Sequence, residues 1–461
     1  MFKIEPKIKP SLFEALLITV IILLLISFSI IQLESVPHIP ILLSVLLLWL
    51  FGALKRVPLK IMENGMLEGA KGGIGAVFIF FLIGVLISSW IMSGTIPTMM
   101  YAAFELVTPN WFYSVVFLIT AVIGLGIGSS LTTVATLGMA FIGVGEAVDA
   151  SSAIIAGAVV SGAFFGDKMS PLSDTTNLAA SVVGVDLFTH IRNMGWTTIP
   201  VFIITLILFA FISPDISGAE FPEVKTMQAV LTDEGLVHWY SWLPLLLLFF
   251  LSIKKVSPFV TLAASAVFGV LLSFLHSDRP LAEVGSVLFS GFVSKTGNAE
   301  VDALLTRGGM DSMMFTVSLV LLSLSLGGLL FSLGIIPRLF VAIEQYLKKV
   351  SSTVTAAAAS AIGVNLVIGE QYLSILLTGE AFQRQFEKVG LARKNLARTL
   401  EDAGTVINPL VPWGVCGVFI TTTLGIPTLS YLPFAFFCLL SPIATIIYGF
   451  TGWTLTKKEN E

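Results

Sequence analysis

The sequence predicts an all-α polytopic membrane protein with about 11–13 transmembrane segments, because about 20 apolar residues suffice for one helix to cross a bilayer. The 461-residue chain is 56% hydrophobic and only 12% charged, whereas soluble domains carry roughly 25% charged residues. Three long stretches, 72–104, 106–145 and 403–456, contain no charged residue. Backbone groups find no hydrogen-bond partner in lipid, so these stretches are predicted to be helical.

The first apolar stretch, Leu12 to Leu33, is predicted to be a retained span. It is too long for a signal-peptide core and lacks a small-residue cleavage site. Cytoplasmic loops are enriched in Lys and Arg, and basic residues lie before the first span and after the second: Lys3, Lys7, Lys9, Lys55, Arg56 and Lys60. We therefore expect both the N-terminus and the C-terminus to be cytoplasmic.

Further apolar segments are predicted as spans or helical parts of spans: 74–92, 112–127, 129–142, 152–165, 242–251, 260–275 and 431–450. Two of these segments have counterparts later in the chain. Leu86 to Pro97 (LISSWIMSGTIP) resembles Leu326 to Pro337 (LGGLLFSLGIIP), and Gly128-Ser129-Ser130 parallels Gly369-Glu370-Gln371. Chance similarity between apolar stretches is the alternative explanation.

Charge placement favours a true repeat of opposite orientation. Loops 94–111 and 143–151 lack Lys and Arg, while the matching loops of the second half are basic, with Arg338, Lys348, Lys349, Arg384, Lys388, Arg393, Lys394 and Arg398. Equivalent loops on opposite sides of the membrane are typical of inverted-topology repeats with discontinuous helices or re-entrant hairpins, an architecture of secondary transporters. An ion channel, which would conduct without coupling, is the alternative from another class.

The repeat divides the chain into four parts. An N-terminal two-span segment covers 1–71, and the first inverted repeat covers 72–213. A linker with connecting spans covers 214–311, and the second inverted repeat covers 312–456.

The first predicted break lies in Ser161 to Ala180 (SGAFFGDKMSPLSDTTNLAA), where Pro171 must interrupt a helix. An unwound segment from Asp167 to Asn177 is expected. Broken helices at membrane depth line cavities and offer ion ligands. Hard cations prefer oxygen ligands, which this segment supplies in Asp167, Ser170, Ser173, Asp174, Thr175, Thr176 and Asn177. An ordinary polar loop at the membrane surface is the alternative.

A second break is predicted from Thr405 to Pro412, because two prolines and two glycines within the eleven residues 404–414 interrupt the helix. Thr405 and Asn408 are expected to face the first site with neutral oxygens, and Asp402 to lie nearer the cytoplasmic end. Glu401 fits a solvated helix start better. The predicted sodium ligands are Asp174, Ser173, Asn177 and Asn408.

Glu370 lies between two apolar runs. An intramembrane carboxylate costs roughly 2.5–3.5 kcal/mol to insert and is by default a functional candidate. An interfacial glutamate is the alternative here. A carboxylate that holds either a proton or a cation produces exchange when only loaded states reorient, and Asp174 is the preferred residue for this role, with Asp167 second.

Other classes lack support. The chain has no G-x-x-x-x-G-K-[ST] phosphate loop, and its four histidines are scattered without an H-x-x-x-H pair. We expect a protein that is not an enzyme, has no cofactor and does not bind nucleic acid. Cys416 and Cys438 lie in apolar sequence and are predicted to be buried and unpaired.

Two strings carry a family resemblance: GAFFGDKMSPLSDTTNLAA from Gly162 and RKNLARTLEDAGTVINPLVPWG from Arg393. From Val57 to Phe450 the chain resembles the NhaC-type sodium/proton antiporters of the ion-transporter superfamily. The resemblance implies exchange of sodium for protons across a bacterial cytoplasmic membrane by elevator-like alternating access. Membrane lipid, sodium and protons are the implied partners, and a homodimer is plausible by analogy with elevator transporters.

The same family includes exchangers of small organic acids such as malate and lactate, so co-exchange of an organic acid stays open. Superfamily dicarboxylate carriers offer a Ser-Asn-Thr cluster in each half. This chain has Ser173-Asp174-Thr175 instead. The added negative charge argues for a cation alone, although Lys168 offsets it.

Overall fold

The computed structural model describes residues 6–106, 111–147, 150–213, 222–254, 256–275, 277 and 279–458. Parts of two loops predicted to be external, 107–110 and 148–149, lie outside these ranges. Among the described residues, 6 helices are long and apolar enough to cross a membrane, and counting two bent helix pairs as single spans gives up to 8. Shorter apolar helices of 10–17 residues accompany them. The chain is therefore an all-α, multi-pass membrane protein, as predicted.

The N-terminal segment contains three helices, α1 (Leu12–Ile31), α2 (His38–Leu54) and α3 (Leu59–Lys71). The sequence predicted the first two. Ser11 caps α1 by accepting a hydrogen bond from the Glu14 amide at 3.2 Å, while the Glu14 carboxylate accepts one from the Ser11 amide at 2.8 Å. This reciprocal capping box fixes where the first span begins.

The region predicted to be the first repeat, 72–213, contains α4 (Ile74–Met92), α5 (Thr95–Leu106), α6 (Phe112–Ile127), α7 (Ser130–Thr133), a π-helical turn (Val134–Gly138), α8 (Met139–Ala147), α9 (Ser152–Met169), α10 (Asp174–Val183) and α11 (Leu187–Ile212). Glycines allow α6 and α9 to pack closely. A Cβ atom at Gly166 would lie 2.5 Å from the carbonyl carbon of Gly124. Gly124 and Gly166 therefore bring the backbones of α6 and α9 into direct contact.

The connecting region contains α12 (Pro222–Asp233), α13 (Leu243–Ile253), α14 (Pro258–Ser273), α15 (Leu281–Ser290) and α16 (Ala299–Leu305), with short 3-10 turns at Trp239–Trp242 and Asp311–Met313. The region predicted to be the second repeat, 312–456, contains α17 (Met314–Ser332), α18 (Ile335–Glu344), α19 (Val350–Ile368), α20 (Gln371–Lys388), α21 (Arg393–Leu400), a π-helical turn (Glu401–Thr405), a 3-10 turn (Asn408–Leu410), α22 (Val415–Leu424), α23 (Thr428–Tyr431) and α24 (Phe436–Thr451).

The two repeats share backbone conformations at the positions that the sequence comparison paired. Gly94 and Gly334 are both left-handed, with φ of 71° and 68°, and so are Gly128 and Gly369, with φ of 69° and 77°. Positive φ carries little cost only for glycine. Each glycine of the second pair ends one helix just before an extended residue that caps the next one. These shared conformations support the predicted alignment.

Packing between the repeats is reciprocal. The half-helix after the first break, α10, packs against α20 and α21 of the second repeat. Its counterpart α22 packs against α7, α8 and the π-helical turn between them in the first repeat. Away from α10 and α22, two further helix pairs correspond: α3 packs along α17, and α14 packs along α4. The two breaks therefore lie at the interface of the repeats.

Candidate ion-binding site

The first break is shorter than predicted. Helix α9 continues to Met169 and α10 begins at Asp174, so Asp167 and Lys168 lie in the last turn of a regular helix. The break satisfies its own freed carbonyl groups. The Thr176 hydroxyl donates to the Lys168 carbonyl at 3.1 Å, and the Asn177 amide donates to the carbonyls of Pro171 and Ser173 at 3.0 and 2.7 Å.

Helix α10 is capped at the point where it meets the break. The Ser173 hydroxyl accepts a hydrogen bond from the Thr176 amide at 3.3 Å and also contacts the Thr175 hydroxyl at 3.1 Å. Asp174 is the first residue of this helix. A carboxylate in the first turn interacts favourably with the helix macrodipole, so Asp174 stabilises the start of α10 while its side chain stays exposed.

Asp167 joins the break to the segment after α6. Its carboxylate lies close to the hydroxyls of Ser130 and Ser173 and to the Ser130 amide. The side chain is 5% exposed. Gly128 makes this approach feasible, because a Cβ atom there would lie 2.6 Å from the Leu172 Cβ and 2.8 Å from the Ser170 hydroxyl.

A cavity of about 790 Å³ lies in front of these residues. Its wall contains apolar side chains of α4, α6 and α17 together with polar groups of both repeats. The polar lining residues that belong to the two repeats are Ser129, Ser130, Thr132, Asp167, Asp174, Thr175, Asn177, Glu370, Gln371 and Tyr372. The wall also includes Glu68 and Lys71 in the last turn of α3 and the segment 256–258 that leads from α13 into α14. Lys71 and Lys254 lie at these helix ends, and by the positive-inside rule they predict the cytoplasmic side.

The second repeat contributes Glu370 to the cavity. Glu370 caps α20, and its carboxylate accepts a hydrogen bond from the Leu373 amide at 2.7 Å. It is 4% exposed, and therefore lies inside the protein and not in an exposed interfacial turn. Beside it, the buried Gln371 side-chain oxygen has no hydrogen-bond partner among the described residues.

The Asn408 side chain links the second break to the helices α19 and α22 by two hydrogen bonds. The Asn408 amide nitrogen donates to the Asn365 side-chain oxygen at 2.9 Å, and the Asn408 oxygen accepts from the Cys416 amide at 2.8 Å. Gly369 packs on this break, since its Cβ position lies 3.0 Å from the Trp413 carbonyl oxygen. Each left-handed glycine therefore supports the break of its own repeat.

Asp402 does not face the cavity. Its carboxylate forms an ion pair with Lys168 and accepts a hydrogen bond from the Thr445 hydroxyl, and neither side chain of the ion pair has any exposed surface. The pair connects the end of α9 to the π-helical turn Glu401–Thr405. Asp402 and Lys168 thus neutralise each other in the interior behind the cavity.

The structure brings about half of the predicted site residues to one cavity. Those that line it are Asp167, Asp174, Thr175, Asn177 and Glu370, whereas Ser170, Ser173, Thr176, Asp402, Thr405 and Asn408 are buried around the two breaks. The roles of all eleven stay predictions. Among the described residues, no three His, Cys, Asp or Glu side chains converge on a metal position, so neutral oxygens would have to complete the shell of a bound cation.

Several residues of the site were not anticipated. Ser130 and Gln371 follow the two paired glycines, so the parallel between Gly128-Ser129-Ser130 and Gly369-Glu370-Gln371 was a usable signal. Glu401, expected at a solvated helix start, instead has no exposed surface. Helix α21 packs against α10, α11, α19 and α20, and this tertiary burial leaves no mark in the local sequence.

Comparison with known proteins assigns the chain to a family. The model of the Na+/H+ antiporter family matches residues 162–453. The chain is 41% identical to the Na(+)/H(+) antiporter NhaC of Alkalihalophilus pseudofirmus, over 97% of each chain. It is 35% identical to the arginine/ornithine antiporter ArcD of Halobacterium salinarum, over 99% of this chain and 95% of that one.

A third relative is named for a different cargo. The chain is 30% identical to the malate-2H(+)/Na(+)-lactate antiporter of Bacillus subtilis, over 96% of this chain and 95% of that one. The chain is similar to these relatives over nearly its full length. This similarity and the family match agree with the broken helices and the acidic cavity described above. This multi-pass membrane protein therefore belongs to the Na+/H+ antiporter family.

Proposed function

We propose that this protein exchanges sodium ions for protons across a bacterial cytoplasmic membrane. The observation that carries the proposal is the charge of the cavity. Its acidic residues are Glu68, Asp167, Asp174 and Glu370, and the one basic residue lining it in the described part of the chain is Lys71. Since Lys71 pairs with Glu68, three carboxylates remain to attract a cation.

Sodium would bind beside the first break. The carboxylates of Asp174 and Asp167 and the hydroxyl of Thr175 are oxygen donors of the kind that hard cations prefer. Asn177 adds a neutral donor, because its hydrogen bonds within the break use the amide nitrogen and leave the amide oxygen free. Asn408 reaches a cation only if its oxygen leaves the Cys416 amide.

Exchange requires that the site be reached from each side in turn. The part of the cavity wall formed by Lys71 and 256–258 supports a cytoplasm-facing conformation, with both chain termini on the same cytoplasmic side. The reciprocal packing of α10 and α22 offers the opposite state, in which the two repeats exchange roles. Reorientation restricted to loaded states then couples sodium movement to proton movement.

Everted membrane vesicles provide the test. Vesicles containing the protein are energised, and the recovery of internal pH is followed by a fluorescent dye after separate additions of sodium, lithium, potassium, malate and lactate. We expect sodium alone to release the pH gradient. A pH gradient that sodium leaves unchanged would sink the proposal.

Exchange coupled to an organic acid is the second candidate. The cavity is much larger than one ion needs, and the malate-2H(+)/Na(+)-lactate antiporter is 30% identical to this chain. Three facing carboxylates oppose it, because they repel a dicarboxylate. In a further trial sodium is added together with malate or lactate, and a response that appears only then would favour this candidate.

A further inference from the structure

A second acidic centre lies behind the cavity. Glu401 belongs to the π-helical turn that follows α21, and its side chain has no exposed surface. Neither carboxylate oxygen has a hydrogen-bond partner of good geometry among the described residues, although the Thr405 hydroxyl is close enough to act on it. An isolated ionised carboxylate is strongly disfavoured in such surroundings, because it has lost its hydration. Single π-helical turns are frequent at functional sites.

The charges around Glu401 are unbalanced. The groups close enough to interact electrostatically with Glu401 are the Lys168 ammonium, the Asp167 and Asp402 carboxylates and the Thr405 hydroxyl. Lys168 pairs with Asp402, so its charge is already compensated. Asp167 faces the cavity, where sodium can neutralise it. Glu401 is left without a cation of its own, and a proton is the remaining means of neutralising it.

Unpartnered polar atoms continue from this centre along α11 and α21. Both ring nitrogens of His190 are buried without a hydrogen-bond partner among the described residues, and Lys168 acts on this ring. Arg398, one turn before Glu401, has a buried Nε in the same condition. Its guanidinium stacks 5.8 Å from the ring centre of Tyr448. Buried polar atoms without protein partners are commonly satisfied by internal water.

We propose that Glu401 is a proton-binding residue separate from the sodium cavity, and that a hydrated path lined by His190 and Arg398 leads to it. The inference rests on the proposed exchange of sodium for protons. It differs from competition at one carboxylate, because sodium and the proton occupy different residues.

Coupling follows from electrostatics. The negative charge of Asp167 favours a proton on Glu401, and a sodium ion at Asp167 cancels that charge. Sodium binding therefore promotes release of the proton from Glu401, and by linkage a proton on Glu401 weakens sodium binding to the same extent. One positive charge enters the protein as one leaves, and the ion pair between Lys168 and Asp402 stays intact.

The test measures proton release from the purified full-length protein in weakly buffered detergent solution, with a pH indicator, after addition of sodium chloride or choline chloride. Glu401→Gln removes the titratable group and keeps the shape of the side chain. We expect this variant to release about one proton fewer per chain than the wild-type protein. In proteoliposomes it should still exchange radioactive sodium for sodium while losing sodium-driven proton movement.

Glu380→Gln is the matched control, because Glu380 is an exposed residue of α20; it should behave as wild type. Undiminished proton release and proton-coupled exchange in Glu401→Gln would overturn the assignment. Absence of sodium-driven proton release in the wild-type protein would overturn the proposed function instead.

If Glu401→Gln does not fold, infrared difference spectra of the wild-type protein and of Glu401→Asp replace it. Sodium should remove a protonated-carboxyl band in the wild-type protein, and the shorter side chain should shift the frequency of that band. An identical band in both proteins would contradict the role of Glu401.

Discussion

The ammonium of Lys168 and the carboxylate of Asp402 form an ion pair in which neither side chain is exposed. Lys168 ends α9 of the first repeat, and Asp402 belongs to the π-helical turn of the second. The ammonium also lies 5.6 Å from the ring centre of Phe437 in α24. One pair thus ties together the two breaks and a later helix, without facing the cavity.

This ion pair predicts a strong and asymmetric effect of mutation. Replacing only Lys168 by Met, or only Asp402 by Asn, leaves one buried charge without its partner and should lower the free energy of unfolding by about 3–5 kcal/mol. The double variant Lys168→Met/Asp402→Leu should be more stable than either single variant. Thermal unfolding in detergent measures all three.

Lys388→Met is the control, because Lys388 pairs with Glu344 at 3.2 Å on the surface. An exposed pair of this kind contributes about 0–1 kcal/mol. A double variant as unstable as the sum of the two single changes would contradict the role assigned to the buried pair.

The left-handed glycines give a second prediction. Gly128→Ala adds a Cβ atom 2.6 Å from the Leu172 Cβ at a φ of 69°, so both a steric clash and backbone strain should lower stability. Gly390→Ala has a φ of 76° and no atom within 4 Å of the new Cβ, and should show the backbone cost alone, about 1–2 kcal/mol. Equal melting temperatures for the two variants would mean that Gly128 does not support the first break.

Helix bounds were largely predictable from sequence, because apolar stretches between charged or glycine-rich turns decide where a chain crosses lipid. The predicted segments 74–92 and 112–127 coincide with α4 and α6, and the glycines that the sequence paired have matching left-handed conformations. Helix α3 was missed. It is only partly apolar and packs along α17 through Gly65 and Gly69, which is a tertiary contact.

The site was less predictable than the fold. Residue type identified Asp167, Asp174 and Glu370 as candidates, because carboxylates are costly in a membrane, and all three line the cavity. The sequence does not reveal which side-chain oxygens already form hydrogen bonds or ion pairs within the protein. The Asn408 amide is bonded to Asn365 and Cys416, and Asp402 is paired with Lys168, because distant helices meet there.

The cavity carboxylates should control apparent sodium affinity. Asp174→Asn removes a charged oxygen donor while keeping the size of the side chain, and loss of an interaction worth about 1.5–3 kcal/mol corresponds to a roughly 10- to 100-fold higher sodium concentration for half-maximal exchange. Asp167→Asn should act in the same direction. Sodium titration of pH recovery in everted vesicles measures the change, with Glu380→Gln as an exposed control. A wild-type sodium dependence in both variants would exclude these two residues as ligands.

A substitution of Asn408 distinguishes a structural role of this residue from a sodium-binding role. Its side chain makes two hydrogen bonds within the second break, so Asn408→Ala should lower the unfolding free energy by about 1–3 kcal/mol through the buried groups that it leaves unpaired. We expect the sodium concentration for half-maximal exchange to stay within a factor of two of wild type, by the same vesicle titration. A tenfold increase would instead support the predicted role of Asn408 as a sodium ligand.

Accessibility to thiol reagents checks the side to which the cavity opens. Asn177 is exposed within the cavity, and a cavity that opens beside Lys71 and 256–258 should admit a reagent from the cytoplasm. Asn177→Cys, in a background where the buried Cys416 and Cys438 are replaced by Ala, should be labelled by a membrane-impermeant maleimide in everted vesicles and not in right-side-out vesicles. Sodium should slow the labelling, because the ion occupies the same cavity. Faster labelling in right-side-out vesicles would reverse the proposed orientation of the protein in the membrane.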